Sequence, residues 1–325
     1  MRILTIDGGG IRGIIPALVL AELEERTGRR VAELFDLVAG TSTGGILAAA
    51  LTRPADDGVT PRFKARDLVG LYEAEGPEIF SRSLIKRVRS VDGWLDERYD
   101  DAGLNAALRR YLDGQRLSEA LTDVLITAYD LEGRRAFFFR SGRARSEPER
   151  DFTLVDACRA TAAAPTYFEP ARVTDVAGAR SRALIDGGVF ATNPVVVALA
   201  DVAREGQGLE GLDLVVSLGT GSHTRPLPYE RVRGWGQLEW ARSIVDVVFD
   251  GVADTTDFAA AQILGPERYV RLQTRLDKAS DNLDDASPRN MAALREEGTR
   301  LLKEQAADVD RVVERLASPA GAPGG

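Results

Sequence analysis

The chain has 325 residues, of which 42 are basic and 50 acidic, so its formal net charge is −8 and its pI is near 5.0. With 44% apolar and 28% charged residues, it has the composition of a globular protein and not of a disordered or collagen-like one. The acidic balance argues against a nucleic-acid partner, because proteins that neutralise phosphates are usually basic.

Cysteine, histidine and long apolar runs are scarce. The single cysteine, Cys158, cannot form an internal disulfide, and no Cys/His cluster has metal-ligand spacing, which excludes structural zinc. No apolar run approaches the ~18 residues that span a bilayer, and few apolar residues precede Asp7. We therefore expect a cytoplasmic protein. Any mechanism that needs a histidine base must use His223, the one histidine.

Short apolar runs bounded by glycine or aspartate alternate with longer amphipathic stretches, which is typical of an α/β domain with a mostly parallel sheet. Predicted strands cover residues 2–6, 35–39, 124–129, 136–140, 183–185, 214–218 and 269–272. Predicted helices follow Gly10 (to about Thr27), Ser42 (to about Thr52), Asp67, Gly103, Thr153, Pro194, Gly236 and Pro288, the last running to about Ala317. We expect one domain over residues 1–275, a helical extension over 276–317 packed on it, and a flexible tail over 318–325.

The first glycine-rich motif, DGGGIRG at residues 7–13, follows a predicted strand and opens a helix. Its glycines fit the dinucleotide fingerprint G-x-G-x-x-G, but the acidic residue expected about 20 positions later is not in place, since Glu24 and Glu25 fall inside the first helix. Alternatively, exposed N–H groups at a helix N-terminus bind an anion, including a transient oxyanion. A tight turn without a ligand is the third interpretation.

The second motif is Gly40-Thr41-Ser42-Thr43-Gly44, which fits G-x-S-x-G between a predicted strand and a predicted helix. This is the context of a nucleophile elbow, in which a serine sits on a sharp turn and the residues two positions before and after it are glycines, so that the chains can approach closely. A simple turn of small residues is the alternative.

A nucleophilic serine needs a base, and two residues are candidates. His223 follows a predicted strand, and the chain order serine, acid, histidine is that of an α/β-hydrolase triad, although its segment is polar and typical of a surface loop. Asp186, at the start of DGGVFATNP, ends a short apolar run, and the two glycines after it let the chain turn away. We favour Asp186.

Five motifs, in this order, resemble those of the patatin-like phospholipase family. They are DGGGIRG (7–13), GTSTGG (40–45), ATAAAPTYFEP (160–170), DGGVFATNP (186–194) and SLGTG (217–221). The resemblance covers most of residues 1–275 and implies a modified α/β-hydrolase fold, a three-layer α/β/α sandwich with a mostly parallel sheet. One departure is Thr192 in Thr-Asn-Pro, where the family often has Asn-Asn-Pro.

The resemblance also implies a lipid acyl hydrolase of the phospholipase A or lysophospholipase type, with an acyl lipid as partner and no cofactor or metal. Ser42 is then the nucleophile and Asp186 the base of a dyad. The implied oxyanion hole consists of Gly8, Gly9, Gly10 and Arg12. Residues expected to support the motifs are Asp7, Gly13, Gly40, Gly44, Gly187 and Gly188. A phospholipase effector or toxin gated by a signal, and a lipid-binding module without turnover, are the alternatives.

Smaller roles stay open from the sequence. Arg12 either adds positive charge for an oxyanion or a lipid phosphate, or holds the glycine loop through a carbonyl group. Asp7 is expected to accept hydrogen bonds from N–H groups of that loop. Residues 76–90 mix apolar and basic side chains, so they either contact anionic headgroups or form a solvated face. Residues 234–251 are expected to pack in the core, with part of their apolar surface lining an acyl channel.

Overall fold

The structure, a computed structural model, describes residues 1–80, 85–89, 95–204, 208–222 and 226–318. His223 and most of the predicted tail lie outside these ranges. Ten strands are described: β1 (Arg2–Ile6), β2 (Leu37–Gly40), β3 (Ile85–Arg89), β4 (Leu95–Tyr99), β5 (Asp123–Asp130), β6 (Arg135–Arg140), β7 (Ala171–Thr174), β8 (Ser181–Asp186), β9 (Leu214–Leu218) and β10 (Tyr269–Leu272).

Thirteen helices are described, and a short 3-10 turn at Gly10–Gly13 precedes the first. They are α1 (Ile14–Thr27), α2 (Val31–Leu34), α3 (Thr43–Thr52), α4 (Ala65–Ile79), α5 (Asp101–Leu112), α6 (Ser141–Ser146), α7 (Leu154–Thr161), α8 (Gly188–Ala191), α9 (Val195–Arg204), α10 (Tyr229–Val232), α11 (Gln237–Leu264), α12 (Pro288–Glu304) and α13 (Ala306–Ala317). None of these described helices is long and apolar enough to cross a membrane.

The large sheet is mostly parallel and has the strand order β10, β9, β1, β2, β5, β8, β7, with β6 on the other edge of β5. Alternate residues of its strands enter two separate cores. Leu4 and Ile6 of β1 join the core that contains α1, α3, α4, α5 and α7, whereas Ile3 joins the core that contains α9 and α11. The predicted three-layer α/β/α sandwich is therefore confirmed.

Strand β5 brings together two residues that are distant in sequence. Its first half pairs in parallel with β2, as far as Gly40 opposite Ile126. Its last residues pair with β8 in the antiparallel sense, beginning with Asp186 opposite Ala128. Both strands lie on the edge of β5 that β6 does not occupy, so the carboxyl ends of β2 and β8 meet beside Thr127.

All seven predicted strands are present, but the prediction missed three others. Strands β3 and β4 read IKRVR and LDERY, in which charged residues interrupt the apolar pattern, and β7 is a four-residue edge strand. Strand β2 begins at Leu37 and not at Phe35, because the short helix α2 occupies the residues just before.

The C-terminal helical segment was wrongly predicted to be one helix. It breaks at Gln305, which separates α12 from α13 and whose side-chain amide donates to the Gln273 carbonyl at 2.5 Å. No glycine or proline marks this break. Both helices contribute apolar residues to the core of α1, and the Arg2 guanidinium donates to the Leu316 carbonyl at 3.0 Å.

Candidate active site

Ser42 lies on the sharp turn between β2 and α3, with φ 55° and ψ −122°. Positive φ is unfavourable for a residue with a Cβ atom and recurs where a nucleophile is held above a sheet. The Ser42 N–H donates to the buried Thr161 hydroxyl at 2.8 Å, which fixes the peptide group of the turn. The strand, turn and helix predicted around the G-x-S-x-G motif are present.

The turn depends on Gly44. A Cβ atom at this position would lie 2.1 Å from the Ile6 carbonyl oxygen, because the start of α3 passes directly over the end of β1. No other residue type fits this approach without moving the backbone.

Asp186 ends β8 and is fully buried. Burial raises its pKa to about 7, against the opposing effects of the nearby Ser42 hydroxyl and the Gly188 N–H, which donates to Oδ1 at 2.7 Å. The other oxygen, Oδ2, accepts no hydrogen bond of normal geometry from the described residues. Asp186 therefore has the basicity and a free oxygen to accept a proton.

Ser42 and Asp186 line the same cavity, which measures about 80 Å³ and is mostly apolar. Gly9 and Gly10 form part of its wall, and the side chains around it include Ile46, Leu71, Ile79, Phe80, Leu104 and Phe168. A second apolar cavity of about 30 Å³ is bordered by four of the same residues, Ile46, Leu71, Ile79 and Leu104. Apolar space thus extends from the serine between α3, α4 and α5.

The glycine loop has few free donors. The Gly8 N–H donates to the Thr192 carbonyl at 2.9 Å, and the Arg12 N–H donates to the Gly9 carbonyl at 3.1 Å. Among the described residues, the N–H groups of Gly9 and Gly10 have no backbone acceptor, and both residues line the cavity with Ser42. Gly10 has φ +55°, a conformation that glycine adopts without strain. The backbone N–H groups of Gly8 and Arg12 are therefore removed from the predicted oxyanion hole.

Two further sequence predictions concern charged residues of this loop. The Arg12 side chain is buried and its Nε donates to the Gly9 carbonyl at 3.3 Å, so it does hold the loop through a carbonyl group. The prediction for Asp7 was wrong about its partner. Its carboxylate accepts two hydrogen bonds from the Arg271 guanidinium, at 2.9 and 2.5 Å, and none of the hydrogen bonds found for it comes from a loop N–H.

Sequence analysis missed Thr220 and Arg271. The Thr220 hydroxyl donates to the Gly8 carbonyl at 2.7 Å and so orients the peptide group whose N–H belongs to Gly9. Thr220 lies in the SLGTG motif, but the motif does not indicate which residue it contacts. The signal for Arg271 was a single charged residue in the apolar strand YVRL.

The two segments singled out for substrate access have different outcomes. The side chains of residues 81–90 lie outside the described part of the chain, so the headgroup contact predicted for residues 76–90 stays a prediction. Within 234–251, core packing was wrong for Trp240, Ile244, Val247 and Val248, which are exposed on α11. Phe249 is buried and lines the cavity.

Metal ligands are not grouped in the described residues: no three or more His, Cys, Asp or Glu side chains there lie close enough together to hold an ion.

Comparison with known proteins defines the family. The sequence model of the patatin-like phospholipases matches residues 4–199. The chain is 35% identical to patatin-like protein 2 of Arabidopsis thaliana, over 95% of this chain and 84% of that protein. It is 34% identical to patatin-like protein 1 of Oryza sativa subsp. indica, over 99% and 86%. It is 33% identical to patatin-04/09 of Solanum tuberosum, over 93% and 84%. The chain therefore belongs to the patatin-like phospholipase family. Its membership supports lipid acyl hydrolysis as the general activity.

Proposed function

We propose that the chain is a lipid acyl hydrolase of the phospholipase A or lysophospholipase type, which cuts carboxylic ester bonds through a dyad of Ser42 and Asp186. The observation that carries the proposal is the shared cavity, where a buried carboxyl group with a raised pKa faces a serine on a positive-φ turn. The apolar space beside the serine is suited to an acyl chain, and the family supports a lipid ester as the substrate.

In the first half of the reaction, Asp186 Oδ2 accepts the proton of the Ser42 hydroxyl while Oγ attacks the carbonyl carbon of the ester. The carbonyl oxygen becomes negatively charged and accepts hydrogen bonds from the Gly9 and Gly10 N–H groups. The tetrahedral intermediate then expels the alcohol oxygen, which accepts from Asp186 the proton that Asp186 took from Ser42. This leaves the acyl group covalently bound to Ser42.

In the second half, a water molecule replaces the alcohol. Asp186 accepts one proton from the water as its oxygen attacks the acyl carbon, and the same N–H groups stabilise the second tetrahedral intermediate. Collapse of this intermediate releases the fatty acid and returns the proton to Ser42. A carboxylate with an ordinary pKa near ~3.9 is too weak a base for these steps, so the burial of Asp186 is essential.

The test is fatty acid release from phosphatidylcholine in mixed micelles by the full-length protein. We expect Ser42→Ala and Asp186→Asn each to lose nearly all turnover while thermal unfolding stays cooperative. If either variant keeps more than a few per cent of wild-type turnover, the dyad is wrong.

His223→Ala is the matched control for the alternative base. The dyad predicts turnover within a few-fold of wild type for this variant. A loss of about 10³-fold or more is the result that supports a triad instead.

The proposed location is the cytoplasm, with peripheral membrane contact through residues 76–90. What supports the contact is the local excess of basic and apolar residues in a chain of net charge −8, which an anionic surface otherwise repels.

A further inference from the structure

A third cavity, distinct from the two apolar ones, lies on the other side of the glycine loop. It measures about 250 Å³ and is mostly polar. Gly8 forms part of its wall, and a Cβ atom at Gly8 would lie only 3.3 Å from the Ser42 Cβ atom. Phe249 borders both this polar cavity and the apolar cavity. A substrate whose ester bond lies at Ser42 thus has apolar space on one side and polar space on the other.

The polar cavity is lined by charged groups of both signs, with an excess of carboxylates. The acids are Asp7, Asp250, Asp254 and Asp257, and the bases are Arg12 and Arg271. The last three acids recur on one face of α11, at the spacing that stacks side chains along a helix. Burial raises the pKa of Asp250, Arg12 opposes this shift, and the charges of Asp254 and Asp281 add to it. Because four carboxylates face two guanidinium groups, the cavity favours a positively charged group.

Two polar groups in this cavity lack a hydrogen-bond partner among the described residues. Asp7 pairs with Arg271, and Asp257 accepts a hydrogen bond from the Tyr269 hydroxyl at 2.6 Å. By contrast, Arg12 is only 6% exposed and its Nη1 has no hydrogen-bond partner among the described residues, while the carboxylates of Asp250, Asp246 and Asp281 act on its guanidinium through their charge. Asp254, at the exposed rim, accepts no hydrogen bond and forms no ion pair within the described residues.

These two groups require opposite partners. A buried guanidinium N–H needs an acceptor oxygen, because leaving it unpaired is costly. A carboxylate at the rim attracts a cation. Neither a free anion nor a free cation satisfies both groups, whereas one headgroup with a phosphodiester near the glycerol and an ammonium group further out does so.

We propose, on the basis of the function given above, that the polar cavity binds the zwitterionic headgroup of a phospholipid, with a phosphodiester oxygen at Arg12 Nη1 and the ammonium group at Asp254. The acyl chain then occupies the apolar cavity, and the ester bond lies at Ser42 between them. The enzyme prefers choline or ethanolamine headgroups to anionic ones because the excess of carboxylates repels a second negative charge.

Binding is tested with short-chain diether lipids, which have no ester bond to cut, by titration calorimetry on the full-length protein. We expect diether phosphatidylcholine to bind about tenfold more tightly than diether phosphatidylglycerol. Asp254→Asn removes one exposed ion pair and should weaken choline-lipid binding about threefold, and Asp254→Lys should reverse the preference. Glu267→Lys is the matched control. It makes the same charge change at an exposed residue before β10, at the opposite end of the sheet, and should leave both affinities unchanged.

Equal affinities of the wild type for the two diether lipids, or equal effects of Asp254→Lys and Glu267→Lys, would overturn the headgroup site. Turnover of the corresponding ester lipids is measured separately. If the diether lipids are discriminated but no ester is cut, the proposed hydrolysis fails and the headgroup site stands. If esters are cut at the same kcat/KM whatever the headgroup, the hydrolysis stands and the headgroup site is wrong.

Discussion

At the residue scale, Asp186 faces two opposing demands. It is buried among apolar residues, and it must carry a negative charge to act as a base. Because burial raises its pKa to about 7, only about half of the molecules hold the ionised form at that pH. We expect kcat/KM for a soluble ester to rise with pH, to reach half its maximum near pH 7 and to level off above. A profile measured from pH 5 to 9 tests this expectation. A flat profile over that range is inconsistent with Asp186 as the base.

The same raised pKa has a consequence for stability. Between pH 4 and 7 the folded protein keeps a proton on Asp186 that the unfolded chain has lost, so this group contributes less to the free energy of unfolding as the pH rises through that window. Asp186→Asn has no charge to bury. We therefore expect the variant to exceed wild type in stability at pH 8, by at most ~4 kcal/mol for a shift of this size, and to approach it near pH 4. Urea unfolding at both pH values measures the difference, and an equal difference at both contradicts the shifted pKa.

Thr220 is a positioning residue for the proposed oxyanion hole. Its hydroxyl holds the Gly8 carbonyl, and in a trans peptide the Gly9 N–H then points the opposite way, toward the cavity that contains Ser42. Thr220→Val keeps the shape and removes the donor. For an ester without a headgroup, we expect kcat to fall about tenfold with little change in KM, because the contact acts on the transition state.

Thr220→Ser keeps the hydroxyl and should restore most of this activity. A lipid trifluoromethyl ketone, which mimics the tetrahedral state, should lose affinity in Thr220→Val by the same factor as kcat/KM. If Thr220→Ser is as impaired as Thr220→Val, packing and not the hydrogen bond explains the loss.

At the scale of elements, β5 explains why a serine and an aspartate from distant parts of the chain meet. Strands β2 and β8 approach along one edge of β5 from opposite directions, and Thr127 occupies the position between them. Its hydroxyl lies 2.7 Å from that of Thr41, the residue before the serine. Because β8 runs antiparallel to β5, its last residue, Asp186, ends beside the turn that contains Ser42.

Residues 76–90 carry a prediction at the same scale. Replacing Arg82, Lys86, Arg87 and Arg89 together with glutamine removes four charges, each contributing roughly 1 kcal/mol near an anionic surface. We expect binding to anionic vesicles to weaken markedly, and the ratio of vesicle turnover to soluble-ester turnover to fall. Vesicle sedimentation and parallel assays measure both quantities. Unchanged vesicle binding means that the segment does not contact the membrane.

At the scale of the whole molecule, the sequence was sufficient to predict the structure where local patterns are strong. The order of apolar runs and helices predicted the three-layer fold, and the motifs around Ser42 and Asp186 predicted two residues that prove to share one cavity. The prediction of the fold succeeded because a strand, a turn glycine and a helix start are each encoded within a few residues.

Sequence failed where the partner of a group is set by tertiary contacts. The motif DGGGIRG does not reveal that the Gly8 N–H is already bound to Thr192, or that Asp7 pairs with Arg271 near the other end of the chain. At the break between α12 and α13, Gln305 contacts the carbonyl group of Gln273, which is distant in sequence. Likewise, the composition of α11 predicted burial, whereas the fold leaves Trp240 exposed.

The central claim is that Ser42 is the nucleophile and that Asp186 activates it. The most direct test is the rate at which a fluorophosphonate modifies the full-length protein, with the modified residue identified by mass spectrometry. The dyad predicts a single adduct on Ser42, formed at a rate that rises with pH around 7 and that falls by orders of magnitude in Asp186→Asn. An adduct on another residue, or labelling of Ser42 at the wild-type rate in Asp186→Asn, would contradict it.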